Sequence, residues 1–265
     1  MTFFIISSIY MKKKSKLIKY LKQSIVSAVV LLIFVLVYPF ACTIDKELVY
    51  EHNGIKVYAD ADKGDVKRVL DEAIAMLVSN GMDNEAGATV VFCNSRTEYS
   101  LKNLFIHAGS LASNRAELGL ILFSPVDWKE GVVPAKNSHL NSRSLASIIA
   151  HELVHSNQLK MLGFIKYKIA QFTTNWKLEG EAEYVSDSSS LPEDKGLELF
   201  LNKGEEDSFV QDNNLKTEYF YFLSHLRTNY LFDTKHIDRD SFWENDFDLE
   251  KLDKEIKSAI QTSRR

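Results

Sequence analysis

Apolar and polar positions divide the chain into three parts: an N-terminal apolar run, a region with mixed strand and helix patterns, and a mostly helical remainder. Seventeen residues from Ile25 to Ala41 carry no charge, and six lysines precede them. An uncharged run of this length is at the short end of what a membrane-spanning helix needs. Because lysines favour the cytoplasmic side, they predict that the rest of the chain lies outside the cell.

The N-terminal segment is open to other interpretations. A cleavable signal peptide is one, but no small-x-small cleavage site follows the apolar run, which favours an uncleaved single-pass anchor in the cell membrane. Cys42 is a candidate for lipid attachment, although the residues before it lack the expected aliphatic side chain. Translation from Met1 or Met11 gives the same topology. We therefore predict a basic segment and signal anchor over residues 1–44 and one extracytoplasmic domain over 45–265.

The start of that domain shows strand and helix periodicities. Leu48 to Ala59 predicts a strand pair around the turn dipeptide Asn53-Gly54. From Asp65 to Val78 apolar residues recur at the helical period. Two buried strands and a short helix follow, at 88–93, 118–123 and 98–105 respectively. A small α/β layer therefore precedes residue 140, and helices follow it, which predicts an α+β fold.

Charge and cysteine content exclude some functions. All 36 acidic residues follow position 44, against 26 of the 32 basic ones, so the main domain carries an excess of ten acids. Phosphate contacts dominate nucleic-acid binding, and an acidic domain without a basic stripe does not supply them. Two cysteines, Cys42 and Cys93, form neither a disulfide framework nor a thiolate metal motif. We therefore expect no nucleic-acid partner.

The segment 144–160 carries the chemistry. It lacks proline and glycine and has apolar residues at helical spacing, with Asn141 and Ser142 as candidate caps. It contains His151-Glu152-Leu153-Val154-His155, an H-E-x-x-H pattern that places both imidazoles on one side of a helix within reach of one metal ion. Glu152 is then positioned to take a proton from a metal-bound water. The alternative is two structural histidines beside a solvated glutamate.

A catalytic zinc needs a third protein ligand. Residues 176–184 read Trp-Lys-Leu-Glu-Gly-Glu-Ala-Glu-Tyr. On a helix Glu179 and Glu183 share a face, whereas Glu181 points nearly the opposite way. We predict that Glu179 binds the metal and that Glu183 accepts the far N–H of a ligating histidine. Taken alone, this cluster is more simply explained as an acidic helix face.

The combination of HELVH with a downstream WKLEGEAEY resembles the gluzincin metallopeptidases, whose second metal helix begins W-x-x-E-G-x-A-x-Y. The resemblance covers residues 144–185. It implies a gluzincin-like zincin fold with Zn²⁺ as cofactor, Glu179 as third ligand and Glu183 supporting a histidine. The interval from His155 to Glu179 is longer than in thermolysin-like and aminopeptidase-N-like members, so the connecting segment differs.

The resemblance also implies an oxyanion-stabilising tyrosine or histidine farther along the chain. Tyr219, Tyr221 and His225 are the candidates, and Tyr219 is preferred. It further implies that strand 118–123 is the sheet edge that lines the cleft and pairs with an extended peptide. Residues 161–172 are interpreted as a core-packing connector, with a surface resting on lipid headgroups as the alternative.

The leading hypothesis is a membrane-anchored zinc metallopeptidase that hydrolyses a peptide or protein substrate. No G-x-M-E-N motif precedes His151, which favours an endopeptidase over an aminopeptidase. A second hypothesis is a zinc-binding but catalytically inactive domain that acts as a tethered binding or sensor module. A third is a purely structural anchor domain. A metal site with an open fourth position and a nearby tyrosine or histidine would favour the first.

Overall fold

The computed structural model describes residues 37–82, 87–104, 110–134, 138–187, 189–202, 210 and 215–263, together with positions 20, 22–27, 29, 30, 33 and 34. The chain divides into two compact units, Met1–Asp45 and Lys46–Arg265. In the first unit every described residue from Tyr20 to Thr43 is helical. No helix among the described residues is long and apolar enough to cross a membrane. Part of the predicted anchor, at positions 28, 31, 32, 35 and 36, lies outside the described residues.

The second unit begins with a five-stranded mixed sheet. Its strands are β1 (Leu48–His52), β2 (Ile55–Tyr58), β3 (Thr89–Phe92), β4 (Ala112–Arg115) and β5 (Leu120–Phe123). Their order across the sheet is β1-β2-β3-β5-β4. The β2–β3 and β3–β5 pairs are parallel, and the outer pairs β1–β2 and β4–β5 are antiparallel. The predicted hairpin is confirmed, because Asn53 and Gly54 both adopt the positive φ of a two-residue turn.

The position of β5 corrects one prediction. Residues 118–123 were expected to form the sheet edge, but β5 (Leu120–Phe123) is flanked by β3 and β4, and all four of its side chains are buried. An uninterrupted apolar strand is typical of a position covered on both faces. The edge on this side is β4 (Ala112–Arg115), whose residues are all only partly buried. The sequence signal for β4 is weak because its letters, ASNR, carry no alternation of apolar residues.

Eight helices of the described residues complete the second unit. They are α1 (Lys63–Ser79), α2 (Arg96–Lys102), α3 (Leu145–Thr173), α4 (Asn175–Ser186), α5 (Glu193–Leu201), α6 (Lys216–Asn229), α7 (Arg239–Glu244) and α8 (Leu249–Ser263). A 3₁₀ turn (Ala116–Leu118), a π-helical turn (Tyr230–Thr234) and a two-stranded ladder of β6 (Val132–Val133) and β7 (Arg143–Ser144) connect them. The mixed α+β class predicted from the sequence is therefore confirmed.

The two largest hydrophobic clusters of the described residues join most of these elements. The first joins the sheet, α1, the first half of α3 and part of α4. The predicted apolar positions of α1 are all buried in it, and Asp62 caps the helix by accepting from the N–H groups of Gly64 and Asp65. The second cluster joins the C-terminal helices α5 to α8. Helix α4 contributes to both, so the segment with the candidate glutamates lies between the two parts of the domain.

Helices α4 and α6 approach each other closely at Gly180. A methyl group added there would lie 2.5 Å from the carbonyl oxygen of Ser224 and closer still to the hydroxyl of Thr228. Only a residue without a side chain fits this crossing, because α6 presents its backbone to α4. The glycine of the WKLEGEAEY segment is therefore explained by packing. It also brings α6 alongside the helix face that carries Glu179 and Glu183.

Helix α3 is longer than predicted and kinked. Ser144, rather than Asn141 or Ser142, is its N-cap, and its side chain accepts from the N–H of Ser147. The helix runs to Thr173 with a break at Gly163 (φ 72°, ψ 162°). Residues 161–172 were predicted to be a core-packing connector. Beyond the break only the inner face of the helix is packed in this way, with Tyr167 and Ala170 buried. The outer face is exposed at four large apolar side chains, namely Phe164, Ile165, Ile169 and Phe172.

Candidate metal centre

Helices α3 and α4 bring the three predicted metal ligands together. His151 and His155 lie one turn apart on α3, and Glu179 faces them from α4. The Oε2 atom of Glu179 lies 3.3 Å from Nε2 of His151 and 3.5 Å from Nε2 of His155. The ligand atoms of the three residues all lie within 4.8 Å of one another. The arrangement therefore has the donor set of a three-residue zinc site.

The spacing of these atoms fits a metal ion. Two ligand atoms bound about 2.0–2.1 Å from a tetrahedral zinc lie roughly 3.3–3.4 Å apart, close to the two distances to Glu179. Oε2 of Glu179 is buried and makes no hydrogen bond within the described part of the chain. A buried carboxylate oxygen without a hydrogen bond is costly, and a cation between it and the imidazoles removes that cost. The site therefore fits a divalent cation with mixed nitrogen and oxygen ligands.

Without a metal, the site is an ion-pair cluster that holds protons. Burial opposes charge on His151, but the neighbouring carboxylates of Glu179 and Glu183 outweigh it and raise the pKa of His151 to about 10. His155 is shifted in the same direction, since the charge of Glu179 outweighs burial and raises its pKa. Burial likewise opposes charge on Glu179, yet the two histidines hold its pKa far below the usual range. A bound cation would take the place of these protons.

Glu152 is held beside the ligands by its neighbours on α3 and by the edge of the sheet. The side chain of Asn114 on β4 donates to the main-chain carbonyl of Glu152. Burial raises the pKa of Glu152, and the charges of His151 and His155 oppose that rise. A buried carboxyl group with a raised pKa is suited to accept a proton and return it. The charges of both ligand histidines therefore act on the carboxyl group of the predicted general base.

Glu183 faces the far side of His151, as its predicted supporting role requires. Its Oε1 atom lies 3.0 Å from Nδ1 of His151, and Arg143 lies 3.2 Å from the same oxygen. Burial raises the pKa of Glu183, but Arg143 and His151 outweigh it and lower the pKa. The carboxylate therefore stays charged at full burial. No sequence pattern pointed to Arg143, which reaches the site from the short strand β7.

The three candidates for oxyanion stabilisation occupy different environments. The ring of Tyr221 lies against His151, with centroids 6.1 Å apart. Tyr219, the residue preferred from the sequence, belongs to the second hydrophobic cluster and stacks on Phe222 at 6.3 Å. Residues two apart on a helix point in nearly opposite directions, so α6 cannot present both tyrosines to one site. Of the two tyrosines, Tyr221 is therefore the one with a described contact to a candidate metal ligand.

His225 lies one turn beyond Tyr221. It borders a hollow that is also lined by Asp187 and Glu193, and the charge of Glu183 reaches it. Burial lowers the pKa of His225, so the residue is neutral at physiological pH. None of its described contacts is with a ligand residue, whereas the ring of Tyr221 contacts His151. Tyr221 is therefore the better placed donor.

Sequence reasoning missed a second group of residues behind His155. Gln158, Glu181 and Arg239 are joined to it by a continuous series of hydrogen bonds. Glu181, which was expected to point away from the face of Glu179 and Glu183, is fully buried within this series. The spacing of Gln158, three residues after His155 on one helix face, was the available signal. Arg239 comes from a helix too distant in sequence to be found in this way.

No known protein-family model matches the chain, and no curated protein is detectably similar to it. The interpretation of the site therefore depends on its own geometry and chemistry.

Proposed function

We propose that this chain is a membrane-anchored zinc metallopeptidase of the gluzincin type, in which His151, His155 and Glu179 hold Zn²⁺. The observation that carries the proposal is the buried Oε2 of Glu179, which has no hydrogen bond among the described residues and faces the Nε2 atoms of both histidines at 3.3 and 3.5 Å. The membrane part rests on the six lysines and the uncharged run that follows them. Its substrate would be an extracytoplasmic peptide or protein.

The surrounding side chains supply the functions that peptide hydrolysis needs. Zinc, when bound, acidifies a water molecule and polarises a carbonyl group. Glu152 accepts the proton of the attacking water and delivers it to the leaving amine. Tyr221 keeps its hydroxyl proton, because burial and the charges of Glu179 and Glu152 raise its pKa, so it can donate a hydrogen bond to the developing oxyanion. Glu183 holds His151 in place.

The edge strand β4 offers a binding surface for an extended substrate. It pairs with β5 on one side, and no strand of the described chain pairs with its other side. Asn114 ties β4 directly to the main chain of Glu152. A peptide added to this edge would form main-chain hydrogen bonds that are independent of sequence, with side-chain pockets setting preference. Such binding in mid-chain suits an endopeptidase.

The test uses the full chain in detergent or lipid nanodiscs, with measurement of zinc content and cleavage of a mixed peptide library. We expect about one zinc per chain and cleavage in the wild type, loss of zinc in Glu179→Ala, and retention of zinc without cleavage in Glu152→Gln. Zinc binding without cleavage in the wild type would favour a tethered binding or sensor domain. Absence of zinc in the wild type would reject both functions.

A further inference from the structure

The hydrogen-bonded series behind His155 begins with Gln158. Nδ1 of His155 lies 2.8 Å from Oε1 of Gln158, one turn along α3. Both residues are buried. The interaction is thus shielded from water. In such a buried environment a hydrogen bond is stronger than in water, and loss of one partner is more costly.

The orientation of the Gln158 amide is fixed by its other end. Its Nε2 donates to the main-chain carbonyl of Leu178 at 2.9 Å and to Oε2 of Glu181 at 3.0 Å. Both partners are acceptors, so the NH₂ group must face them and the amide oxygen must face His155. Nδ1 of His155 therefore carries the hydrogen, and the lone pair of the neutral ring is left on Nε2. That atom is the one directed at Glu179.

Glu181 is in turn held by Arg239. Nε of Arg239 donates to Oε1 of Glu181 at 2.6 Å, and the side chain of Glu181 is fully buried. The guanidinium also donates to the carbonyl oxygens of Asn80 and Gly81, which follow the end of α1, at 3.2 and 3.4 Å. Arg239 thus connects α7, α4 and the end of α1. A single side chain joins the C-terminal helices to the α/β layer through the carboxylate that orients Gln158.

From this series we infer that Gln158, Glu181 and Arg239 are positioning residues, which hold His155 with its Nε2 lone pair toward the metal. The inference rests on the proposed zinc site and deepens it. The two histidines are thereby supported by separate arginine-anchored carboxylates, Glu183 with Arg143 for His151, and Glu181 with Arg239 for His155. Only the second support acts through an intervening amide.

Zinc affinity of the full chain is the first measurement, by competition with a chromogenic chelator. Loss of an outer partner of a ligating histidine weakens metal binding about 10–100-fold. We expect a decrease of this size in zinc affinity for Gln158→Leu. For Arg239→Met we expect a decrease of roughly tenfold, because Arg239 contacts Gln158 only through Glu181. Arg239 borders a cavity of about 340 Å³ together with Met82 and Met161, so a methionine is accommodated there.

Arg227→Met is the matched control. Arg227 makes two 2.8 Å hydrogen bonds to Asp253, and both partners are largely buried, but the pair joins α6 to α8 and has no described contact with His155. Loss of the Arg227–Asp253 pair should lower the melting temperature about as much as Arg239→Met does, and it should leave zinc affinity unchanged. Equal losses of zinc affinity in Arg239→Met and Arg227→Met would show a general stability effect and overturn the inference.

The second measurement needs no metal. Long-range ¹⁵N NMR of histidine-labelled, metal-free chain reports the tautomer of His155, with its signal identified by its absence in His155→Gln. At a pH above the pKa of His155, the Nδ1–H form should dominate in the wild type and be depleted in Gln158→Leu. An Nε2–H form in the wild type would overturn the inference. An Nδ1–H form in a chain that binds no zinc would support the positioning while rejecting the proposed function.

Discussion

The ring of Tyr221 on α6 packs edge-on against the imidazole of His151, at an interplanar angle of 62°. The contact places a phenol beside a candidate metal ligand, while Tyr219 lies on the opposite side of the same helix. Because burial raises the pKa of Tyr221, its hydroxyl is a donor across the physiological range. The two tyrosines therefore provide a test with an internal control.

We predict that Tyr221→Phe lowers kcat about 100-fold, since removal of one oxyanion donor has an effect of that order. Zinc content and KM should change little, because the hydroxyl is not a metal ligand. Tyr219→Phe removes a hydroxyl from the second cluster and should leave kcat within about twofold of the wild type. Steady-state kinetics with one peptide substrate measure both variants. A larger kcat loss in Tyr219→Phe than in Tyr221→Phe would reverse the assignment.

The sequence was sufficient to predict the local parts of the site. The H-E-x-x-H helix and the spacing of Glu179 from Glu183 are properties of single helices, so the helical period places those side chains correctly. The choice between Tyr219 and Tyr221 depends on which side of α6 meets α4. That side is set by the contact of Gly180 with Ser224 and Thr228, which no local pattern contains.

Two further features, the edge strand of the sheet and the Arg239–Glu181 pair, could not be predicted from local sequence patterns for similar reasons. The apolar run in β5 correctly predicted that its side chains are buried. The strands that flank it depend on the order of strands in the sheet, and the edge strand is β4, whose sequence has no clear apolar pattern. Arg239 lies 58 residues from Glu181 in the sequence, and an arginine–glutamate pair at that separation has no signature. Tertiary packing determines such long-range contacts.

Gly180→Ala should destabilise the domain by about 1–3 kcal/mol or more, since the added methyl group overlaps the backbone of Ser224 and α6 cannot yield without moving as a unit. Chemical unfolding of the zinc-loaded chain measures the loss. We also expect weaker zinc binding, because displacement of α4 moves Glu179.

Gly87→Ala is the control for that substitution. A methyl group there meets only the carbonyl oxygen of Gly54, at an ordinary 3.6 Å. Its free energy of unfolding should change by less than about 1 kcal/mol. If both alanine variants are equally stable, the close crossing of α4 and α6 is not required.

Zinc binding should release protons at pH 7, about one to two per metal ion, because the pKa values of His151 and His155 are both raised in the metal-free site. Titration calorimetry in buffers of different ionisation enthalpy gives the number directly. Zinc affinity should consequently rise from pH 7 to pH 9. A proton count of zero would show that the imidazoles are neutral before the metal binds.

The same pKa shift makes the stability of the metal-free chain depend on pH. The folded pKa of His151, about 10, is above its unfolded value of about 6.5. Its contribution to stability is therefore fully present below about pH 6.5 and is lost as the pH rises toward 10. Melting curves of chelator-treated chain should show this decline between those limits. His151→Gln should flatten the curve, and an unchanged slope in that variant would assign the dependence to other groups.

Acid should weaken the domain through a different cluster, around Lys46. Its side chain is only 2% exposed, and its Nζ lies 3.1 Å from Asp60 and 3.2 Å from Glu98. Hydrogen bonds from Asn94 and Lys46 lower the pKa of Asp60. Burial raises the pKa of Glu98, but hydrogen bonds from Asn94, Lys102 and Lys46 outweigh it and lower the value. Both carboxylates thus favour the folded state when charged.

Because these folded pKa values are lowered, their stabilisation is present above the unfolded values near 4 and is lost as the pH falls below them. Lys46→Met should therefore destabilise the chain at pH 7, by about 1–3 kcal/mol for a mostly buried ammonium group, and should reduce the further loss between pH 5 and pH 3. Lys254→Met is the control, since the pair of Lys254 with Glu250 is 74% exposed on both sides. Exposed pairs contribute little, so that variant should follow the wild type at every pH. Unfolding by urea at pH 7, 5 and 3 gives the free energy of unfolding of the wild type and both variants. If that free energy falls equally with acid in Lys46→Met and in the wild type, the acid-sensitive groups lie elsewhere in the chain.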